Sequence, residues 1–258
     1  MIEYSRFLAE SNFALRVLSF YARLLPAHAE NSAEAGLGGK LLYAGELDDY
    51  GRALIAAANI AGAASLCATA NALIQKSAIR DGIADFLVTS LDEVLRILKN
   101  EIRKRATVAV CIGASPQEIE SQMSERGVQP DVLRPSDADE DKTRAMLAEV
   151  ALVSWSVSSA PGRWMPKLDS FALECAGELP EVTRRWLRMS PRYLGRMAQS
   201  FHVALTDRTF ATGFMDGALA LEGGSIPLKL QVSYCGGSEE FNSPNWNKDK
   251  PNSSSSGL

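Results

Sequence analysis

The feature that most restricts the fold of this chain is an alternation of short apolar runs with helical segments, which extends over residues 40–133. The clearest run, residues 107–112, is unbroken and rich in β-branched side chains, as is typical of a strand buried on both faces. The other candidate strands are residues 41–44, 65–68, 84–88 and 131–133. Strands that alternate with helices of about 12–16 residues indicate a parallel sheet covered by helices. The sequence therefore predicts an α/β fold with a Rossmann-like, doubly wound parallel sheet.

Local signals mark where two of the intervening helices begin and end. Ser90 and Glu93 have the spacing of a capping box, and Ser115 directly precedes Pro116, a residue favoured in the first helical turn. Gly127 supplies the left-handed conformation that commonly terminates a helix. These signals predict two helices with defined ends inside the alternating region.

Other segments are predicted from their polarity and spacing. An amphipathic helix is expected over residues 4–25, a glycine-rich loop over 31–39 and an alanine-rich helix over 52–64. An acidic stretch at residues 136–142 separates these segments from a less regular region. The helices predicted in that region are residues 143–153, 167–176 and 181–189, and the predicted strands are residues 201–205 and 228–232.

These patterns divide the chain into four predicted parts. Residues 1–30 form an N-terminal helical segment, 31–142 the Rossmann-like domain, 143–235 a smaller α+β part and 236–258 a tail. The tail is rich in Ser, Asn and Gly and too polar to bury a core, so it is expected to be disordered.

Charge and cysteine content exclude several classes of protein. The chain carries 27 Lys and Arg against 31 Asp and Glu, and its net charge of −4 does not suit a protein that binds nucleic-acid backbones. No apolar run reaches the ~18 residues of a membrane span. The sequence has only 2 His, and its 4 Cys form no ligand motif, so no metal site is predicted. Cysteines spaced in this way are expected to be buried free thiols of a cytoplasmic protein. They are Cys67, Cys111, Cys175 and Cys235.

The turn after the first candidate strand is where a doubly wound sheet commonly holds the pyrophosphate of a dinucleotide. Here that turn is residues 45–51 (GELDDYG), which keeps Gly45 and Gly51 but places three acidic side chains between them. Carboxylates repel phosphate, so the turn is a weak dinucleotide motif. Asp48 and Asp49 are also good N-cap residues, and a purely structural turn is the alternative interpretation.

Four blocks of this region resemble the NAD-binding domain of urocanate hydratases (urocanases), in that family's order and spacing. They are residues 39–45 (GKLLYAG), 61–66 (AGAASL), 90–97 (SLDEVLRI) followed by the strand at 108–110, and 125–132 (ERGVQPDV). The resemblance implies a Rossmann-like domain, a homodimer and an NAD cofactor contacted by Gly45, Gly51 and Asp131. It also implies a lyase of histidine degradation, in which NAD acts as an electrophile towards the imidazole of urocanate.

The chain departs from that family in three regions that contact NAD. Between Gly45 and Gly51, acidic and aromatic residues replace the glycine-rich turn of urocanases. Residues 67–70 offer no acidic side chain for a ribose, and residues 133–139 differ from the family's loop. NAD is therefore expected to bind weakly or not at all.

A weaker resemblance lies in the C-terminal part, which would then be a reduced remnant of the family's core domain. Residues 160–164 (APGRW) are similar to the end of the urocanase active-site motif. Ser156 then occupies the position of the active-site cysteine and Val157 that of a neighbouring arginine, so no catalytic residue is assigned. The alternative interpretation places Trp164 at the edge of a core, with Arg163 extending over it.

The densest group of positive charges is a set of arginines at helical spacing, interrupted by one proline. Its members are Arg184, Arg185, Arg188, Arg192 and Arg196. A solvated or oligomer-facing surface is the structural interpretation, and a site for a phosphate-bearing ligand or an acidic partner is the functional one.

Three functions follow from these observations. The main hypothesis is a divergent, shortened urocanase-family pseudoenzyme that does not hydrate urocanate and instead binds a ligand or a protein partner. The second is an NAD-dependent lyase that acts on urocanate or a related imidazole. The third is an unrelated small-molecule oxidoreductase that shares only the fold.

Overall fold

The computed structural model describes residues 13–25, 36–134, 151–177, 179–195, 199–234 and 237–245. These residues fall into two compact units. The first unit contains residues 13–25, 36–134 and 189–195, and the second contains residues 151–177, 179–188, 199–234 and 237–245. Within these ranges, no helix combines the length and the apolarity needed to cross a membrane.

The first unit is built on a five-stranded sheet. Its strands are β1 (Leu41–Glu46), β2 (Ala64–Ala68), β3 (Phe86–Val88), β4 (Val108–Ile112) and β5 (Val132–Leu133). They lie in the order β3-β4-β2-β1-β5, and every neighbouring pair is parallel. The predicted α/β fold with a Rossmann-like parallel sheet is therefore confirmed. Because β2 and β5 lie on the two sides of β1, the strand order reverses at β1.

The described helices of this unit are α1 (Phe13–Leu24), α2 (Asp49–Ala61), α3 (Ala72–Arg80), α4 (Leu91–Arg103) and α5 (Pro116–Glu125). The two predicted helix starts are confirmed, since the hydroxyl of Ser90 accepts from the N–H of Glu93 and that of Ser115 from the N–H of Glu118. Gly127 has φ 64° after the end of α5, as predicted. Residues 4–12 of the predicted N-terminal helix lie outside the described residues.

Helix α3 is not indicated by the apolar spacing of the sequence. Ala78 is its only buried residue, and Leu73 is 77% exposed. The helix begins at Asn71, whose side-chain oxygen accepts from the N–H groups of Leu73 and Ile74 at 2.9 and 3.4 Å. A local cap, and not an apolar stripe, therefore defines this helix.

Helices α4 and α5 cover one face of the sheet and form an apolar core with it. The larger members of this core are Leu41, Leu66, Val94, Leu98, Val110, Ile112, Ile119 and Met123. Right-handed crossovers place α2 on the opposite face, where it is buried over residues 51–61. The closest approach is at Gly51, where a Cβ would lie 2.1 Å from the carbonyl oxygen of Glu46. Gly51 thus lets the start of α2 lie close to the end of β1.

The second unit contains an antiparallel sheet. Its strands are β6 (Ala151–Val157), β7 (Phe201–Thr206), β8 (Leu228–Tyr234) and β9 (Gly237–Asn242), in the order β7-β6-β8-β9. The helices are α6 (Pro161–Cys175) and α8 (Arg208–Ala220), and α7 (Glu181–Leu194) begins in this unit. Together they form the predicted smaller α+β part.

The prediction of a helix over residues 143–153 is wrong at its C-terminal end. Residues 151–153 begin β6, where Val153 pairs with Ala204 of β7 and with Val232 of β8. Pairing on both sides outweighs the helical tendency of the local sequence. Residues 143–150 lie outside the described residues.

The prediction of a disordered tail is wrong for residues 237–245. Strand β9 pairs with β8 over its whole length, from Tyr234 opposite Gly237 to Lys229 opposite Asn242. The polar composition of this segment fits an edge strand, which does not need to bury its outer side. Residues 246–258 lie outside the described residues.

A buried polar contact joins α6 to the sheet of the second unit. Oδ1 of Asp169 lies 2.7 Å from Nδ1 of His202 and accepts a hydrogen bond from Nε1 of Trp155 at 3.1 Å. His202 is 6% exposed and Trp155 2%. The Trp155 ring also packs edge-on against Phe214, with 5.1 Å between ring centroids. These contacts place one carboxylate beside the aromatic core of the unit.

The close approach at Gly51 predicts a large cost for a single methyl group. We expect Gly51→Ala to lower the free energy of unfolding by about 2–3 kcal/mol, since the helix or the strand must move to relieve the clash. Gly38→Ala is the matched control in the same unit, because a Cβ at Gly38 meets its nearest neighbours at 3.6 Å. Urea denaturation followed by far-ultraviolet circular dichroism measures both variants, and equal stabilities would contradict the described packing.

Candidate functional site

The candidate site lies at the carboxyl ends of β1 and β5, where the strand order reverses. Open α/β sheets bind their ligands at this position. Two segments meet here: residues 47–50, which link β1 to α2 and include the first two residues of that helix, and Arg134, which follows β5. The sequence predicts the first segment as a site. Arg134 lies in residues 133–139, which the resemblance places among the NAD-contacting regions, but no local pattern singles it out.

The two glycines of the turn are required by its backbone. Gly45 has φ 69°, a conformation that favours glycine, and the β1–β2 register shifts between Tyr43 and Glu46. Gly51 allows the first turn of α2 to approach Glu46, as described above. Both glycines that were predicted to bind a cofactor therefore lie at the carboxyl end of β1, where the backbone of the turn requires them.

Asp48 caps α2 and also binds Arg134. Its Oδ1 accepts a hydrogen bond from the N–H of Gly51 at 2.7 Å, and its Oδ2 accepts one from a guanidinium nitrogen of Arg134 at 3.2 Å. The predicted N-cap role of Asp48 is thus confirmed, and Asp49 occupies the first turn of α2. A carboxylate in this position is favoured by the helix dipole and by the positive charge of Arg134.

Tyr50 and Arg134 form the outer part of the site. The guanidinium carbon of Arg134 lies 5.6 Å from the centre of the Tyr50 ring, and Tyr50 is 48% exposed. On its other side, Tyr50 meets the ring of Phe20 in α1 edge-on, with 5.9 Å between centroids. A cation–π contact at an exposed site contributes about 0.5–1 kcal/mol. Arg134 is therefore held by both the carboxylate and the ring.

Asp48 occupies one of the backbone donors that a dinucleotide pyrophosphate would use in this turn. The phosphate would need the free N–H groups at the start of α2, but the carboxylate of Asp48 already accepts from Gly51. Asp49 adds a second negative charge in the same turn. The helix starts after β2 and β4 are capped in the same way, by Asn71 and Ser115. Each of these three helices thus carries its own side-chain cap.

Asp131, the third predicted cofactor-binding residue, lies at the other end of the sheet. It directly precedes β5, accepts from the N–H of Leu41 at 2.9 Å and forms an ion pair with Lys40 at 3.1 Å. These contacts join the amino ends of β1 and β5. The structure therefore does not bring Asp131 together with Gly45 and Gly51.

The described cysteines agree with the prediction of free thiols. Cys67 and Cys111 are fully buried and lie opposite each other on β2 and β4, and Cys175 is partly exposed. A hydrogen bond with Cys111 and burial raise the pKa of the Cys67 thiol well above its ordinary value. Cys235 lies outside the described residues. Among the described side chains, no group of three His, Cys, Asp or Glu residues is placed to hold a metal ion.

Ser156 lies in a sheet, whereas Arg163 and Trp164 lie at the edge of a core. Ser156 lies within β6 and pairs with Phe201 of β7. Trp164 is buried in the first turn of α6, and the guanidinium of Arg163 lies 4.1 Å from the centre of its ring. This is the arrangement that the structural interpretation predicts for Arg163 and Trp164.

The arginines of α7 make contacts along their own helix. Glu181 binds Arg184 and Arg188, each at 2.9 Å. The hydrogen bond from Arg188 and the neighbouring positive charges lower the pKa of Glu181. Arg192 lies over the ring of Tyr193, and Arg196 is outside the described residues. These contacts favour the solvated-surface interpretation for the described members of the group.

An ion pair joins α2 to the end of α3. The guanidinium of Arg52, which is 8% exposed, donates to Asp81 at 2.7 Å and to the hydroxyl of Ser77 at 3.0 Å. Burial alone would raise the pKa of Asp81, but hydrogen bonds from Arg80 and Arg52 outweigh it and lower the pKa below its ordinary value. The pair therefore stabilises the folded state with Asp81 ionised.

Residues 21–140 match the family model described as the urocanase Rossmann-like domain. The matched segment contains all five strands of the parallel sheet, the turn of Asp48 and Arg134. The resemblance deduced from the four sequence blocks is confirmed by this match.

The lowered pKa of Asp81 predicts a pH-dependent contribution to stability. It is fully present above the ordinary carboxyl pKa of about 4 and is lost as the pH falls through the lower pKa of the folded state. We expect Asp81→Asn to reduce the free energy of unfolding at neutral pH by about 1–3 kcal/mol and to flatten its decline in acid. Asp92→Asn, which alters an exposed pair with Arg126, is the control. Denaturation curves at several pH values distinguish the two variants.

Proposed function

Because residues 21–140 match the model of the urocanase Rossmann-like domain, we propose that this chain is a degenerate family member that acts as a ligand- or partner-binding protein and not as an NAD-dependent urocanate hydratase. The observation that carries the proposal is the position of the Asp48 carboxylate, which accepts the N–H of Gly51 at the start of α2. A phosphate group of NAD would compete for the same donor.

Displacing Asp48 would be costly for the protein. The carboxylate would lose its hydrogen bond to Gly51 at 2.7 Å, and its contact with Arg134 would have to rearrange. A displaced Asp48 would stay beside the incoming phosphate, with Asp49 in the same turn. Because the Asp48 side chain is 47% exposed, solvent screens this repulsion, and we expect the two charges to lower the affinity for NAD by about tenfold.

The carboxyl ends of β1 and β5 have features that suit a ligand other than NAD. Tyr50 presents a half-exposed aromatic face, and Leu133 at the end of β5 is 62% exposed. Arg134 lies over Tyr50 with its charge already balanced by Asp48. We expect a ligand or partner of this edge to use apolar and aromatic contact and to carry no phosphate group.

The alternative is an NAD-dependent lyase that acts on urocanate or a related imidazole, and two measurements separate it from the proposal. Calorimetric titration of the full chain with NAD should show no binding in the micromolar range. Incubation with urocanate and NAD should leave the ultraviolet absorbance of urocanate unchanged. Tight NAD binding together with loss of that absorbance would favour the lyase.

Substitutions in the turn test the electrostatic reason directly. We expect the double variant Asp48→Gly with Asp49→Gly to bind NAD at least about tenfold more tightly than the natural chain, because it frees the N–H of Gly51 and removes two charges. Asp48→Asn should gain less, since its amide oxygen still caps α2. Asp92→Asn, in the first turn of α4, is the charge control and should change nothing. An unchanged affinity in the double variant would refute this explanation of the turn.

A further inference from the structure

Cys67 and Cys111 form a pair of thiols in the middle of the parallel sheet. They lie opposite each other in the register of β2 and β4, and both are 0% exposed. Neighbouring strands lie about 4.7–4.9 Å apart, which is within the Cα separation of about 4.4–6.8 Å that a disulfide spans. Residues that pair in this way project to the same face of a sheet. The backbone therefore allows a bond between these two residues without a change in strand order.

The two thiols also interact with each other. A hydrogen bond joins them, and Sγ of Cys67 lies 3.6 Å from the carbonyl oxygen of Val110. The hydrogen bond from Cys67 lowers the pKa of the Cys111 thiol, whereas the same bond and burial raise the pKa of Cys67. Cys111 is therefore the thiol that ionises first, and Cys67 keeps its proton beside it.

Both cysteines lie near the carboxyl edge of the sheet, each one position before the last residue of its strand. The last residue of β2, Ala68, accepts from the N–H of Leu47 at 3.0 Å, and Leu47 directly precedes Asp48. Gly113, which follows β4, is exposed. Strand ends beside exposed residues open locally more readily than the centre of a sheet, so that an oxidant as small as hydrogen peroxide can reach the pair. A bond between the two strands would thus form next to the turn of Asp48.

We propose that Cys67 and Cys111 are a reversible oxidation site, at which hydrogen peroxide converts the two thiols into a disulfide that joins β2 to β4. The Cys111 thiolate attacks one peroxide oxygen, the O–O bond breaks, and the other oxygen takes up a proton and leaves as water. Sγ of Cys67 then attacks the sulfenic sulfur of Cys111, so that the S–S bond forms and the S–O bond breaks. The hydroxide leaves as a second water with the proton of Cys67.

Two electrons thus pass from the two thiols to the peroxide, and a dithiol reductant reverses the reaction. The site is independent of the proposed function, since it requires no ligand at the carboxyl ends of β1 and β5.

Intact-mass spectrometry of the full chain tests the site. The double variant Cys175→Ser with Cys235→Ser keeps only the pair as thiols. After treatment with hydrogen peroxide in the absence of denaturant, we expect it to lose about 2 mass units, the two hydrogens of a disulfide, and to regain them with dithiothreitol. Adding Cys67→Ser should abolish this loss, because Cys111 then has no partner thiol. An unchanged mass of the double variant, or a gain of oxygen without loss of hydrogen, would overturn the proposal.

Peptide mapping of the natural chain gives a second test that needs no substitution. After the same treatment, unreacted thiols are alkylated and the chain is digested with trypsin without reduction. We expect the peptide that contains Cys67 to be linked to the peptide that contains Cys111, and dithiothreitol to separate them. Cys175, which is partly exposed, is the internal control and should be recovered outside this linked pair. Separate alkylated peptides for Cys67 and Cys111, or a link from either of them to Cys175, would overturn the assignment.

Discussion

The carboxylate of Asp48 connects three parts of the first unit: the end of β1, the first turn of α2 and the residue that follows β5. Each oxygen has one partner, the N–H of Gly51 or the guanidinium of Arg134. The start of a helix next to a parallel strand attracts an anion, because its N–H groups are free and its dipole is positive. In this chain the anion is the carboxylate of Asp48, which belongs to the polypeptide itself. Related folds offer this position to a phosphate, whereas here the carboxylate stabilises the contact between β1, α2 and Arg134.

Much of the first unit could be predicted because its determinants are local. The apolar run of β4, the capping serines and Gly127 act within a few residues of themselves, and each has the predicted structure. Helix α3 escaped prediction because it lacks an apolar stripe and buries only Ala78. The error at residues 151–153 has the opposite origin, since this segment is held as a strand by partners about 50 and 80 positions later in the chain.

For the candidate site too, local features could be predicted from the sequence and long-range contacts could not. The turn of residues 45–51 and the capping role of Asp48 are readable from the sequence, since a cap and its helix are adjacent. The contacts of Arg134 with Asp48 and Tyr50 depend on β5 lying beside β1, which no local pattern reveals. Asp131 lies next to the same short strand, but it precedes β5 and so lies at the opposite end of the sheet. Because β5 has only two residues, Asp131 before it and Arg134 after it lie close in sequence but at opposite ends of the sheet.

The position of Trp155 in the aromatic core of the second unit has a consequence for spectroscopy. Residues 1–154 contain no tryptophan, and the four in the chain are Trp155, Trp164, Trp186 and Trp246. Light absorbed at the red edge of the protein spectrum therefore excites only the C-terminal part of the chain, whereas the parallel sheet emits through tyrosines such as Tyr43 and Tyr50. Trp155, whose indole N–H is bound to Asp169, is an internal reporter for the antiparallel sheet. Tryptophan emission excited at the red edge can thus follow the unfolding of the second unit without an added label.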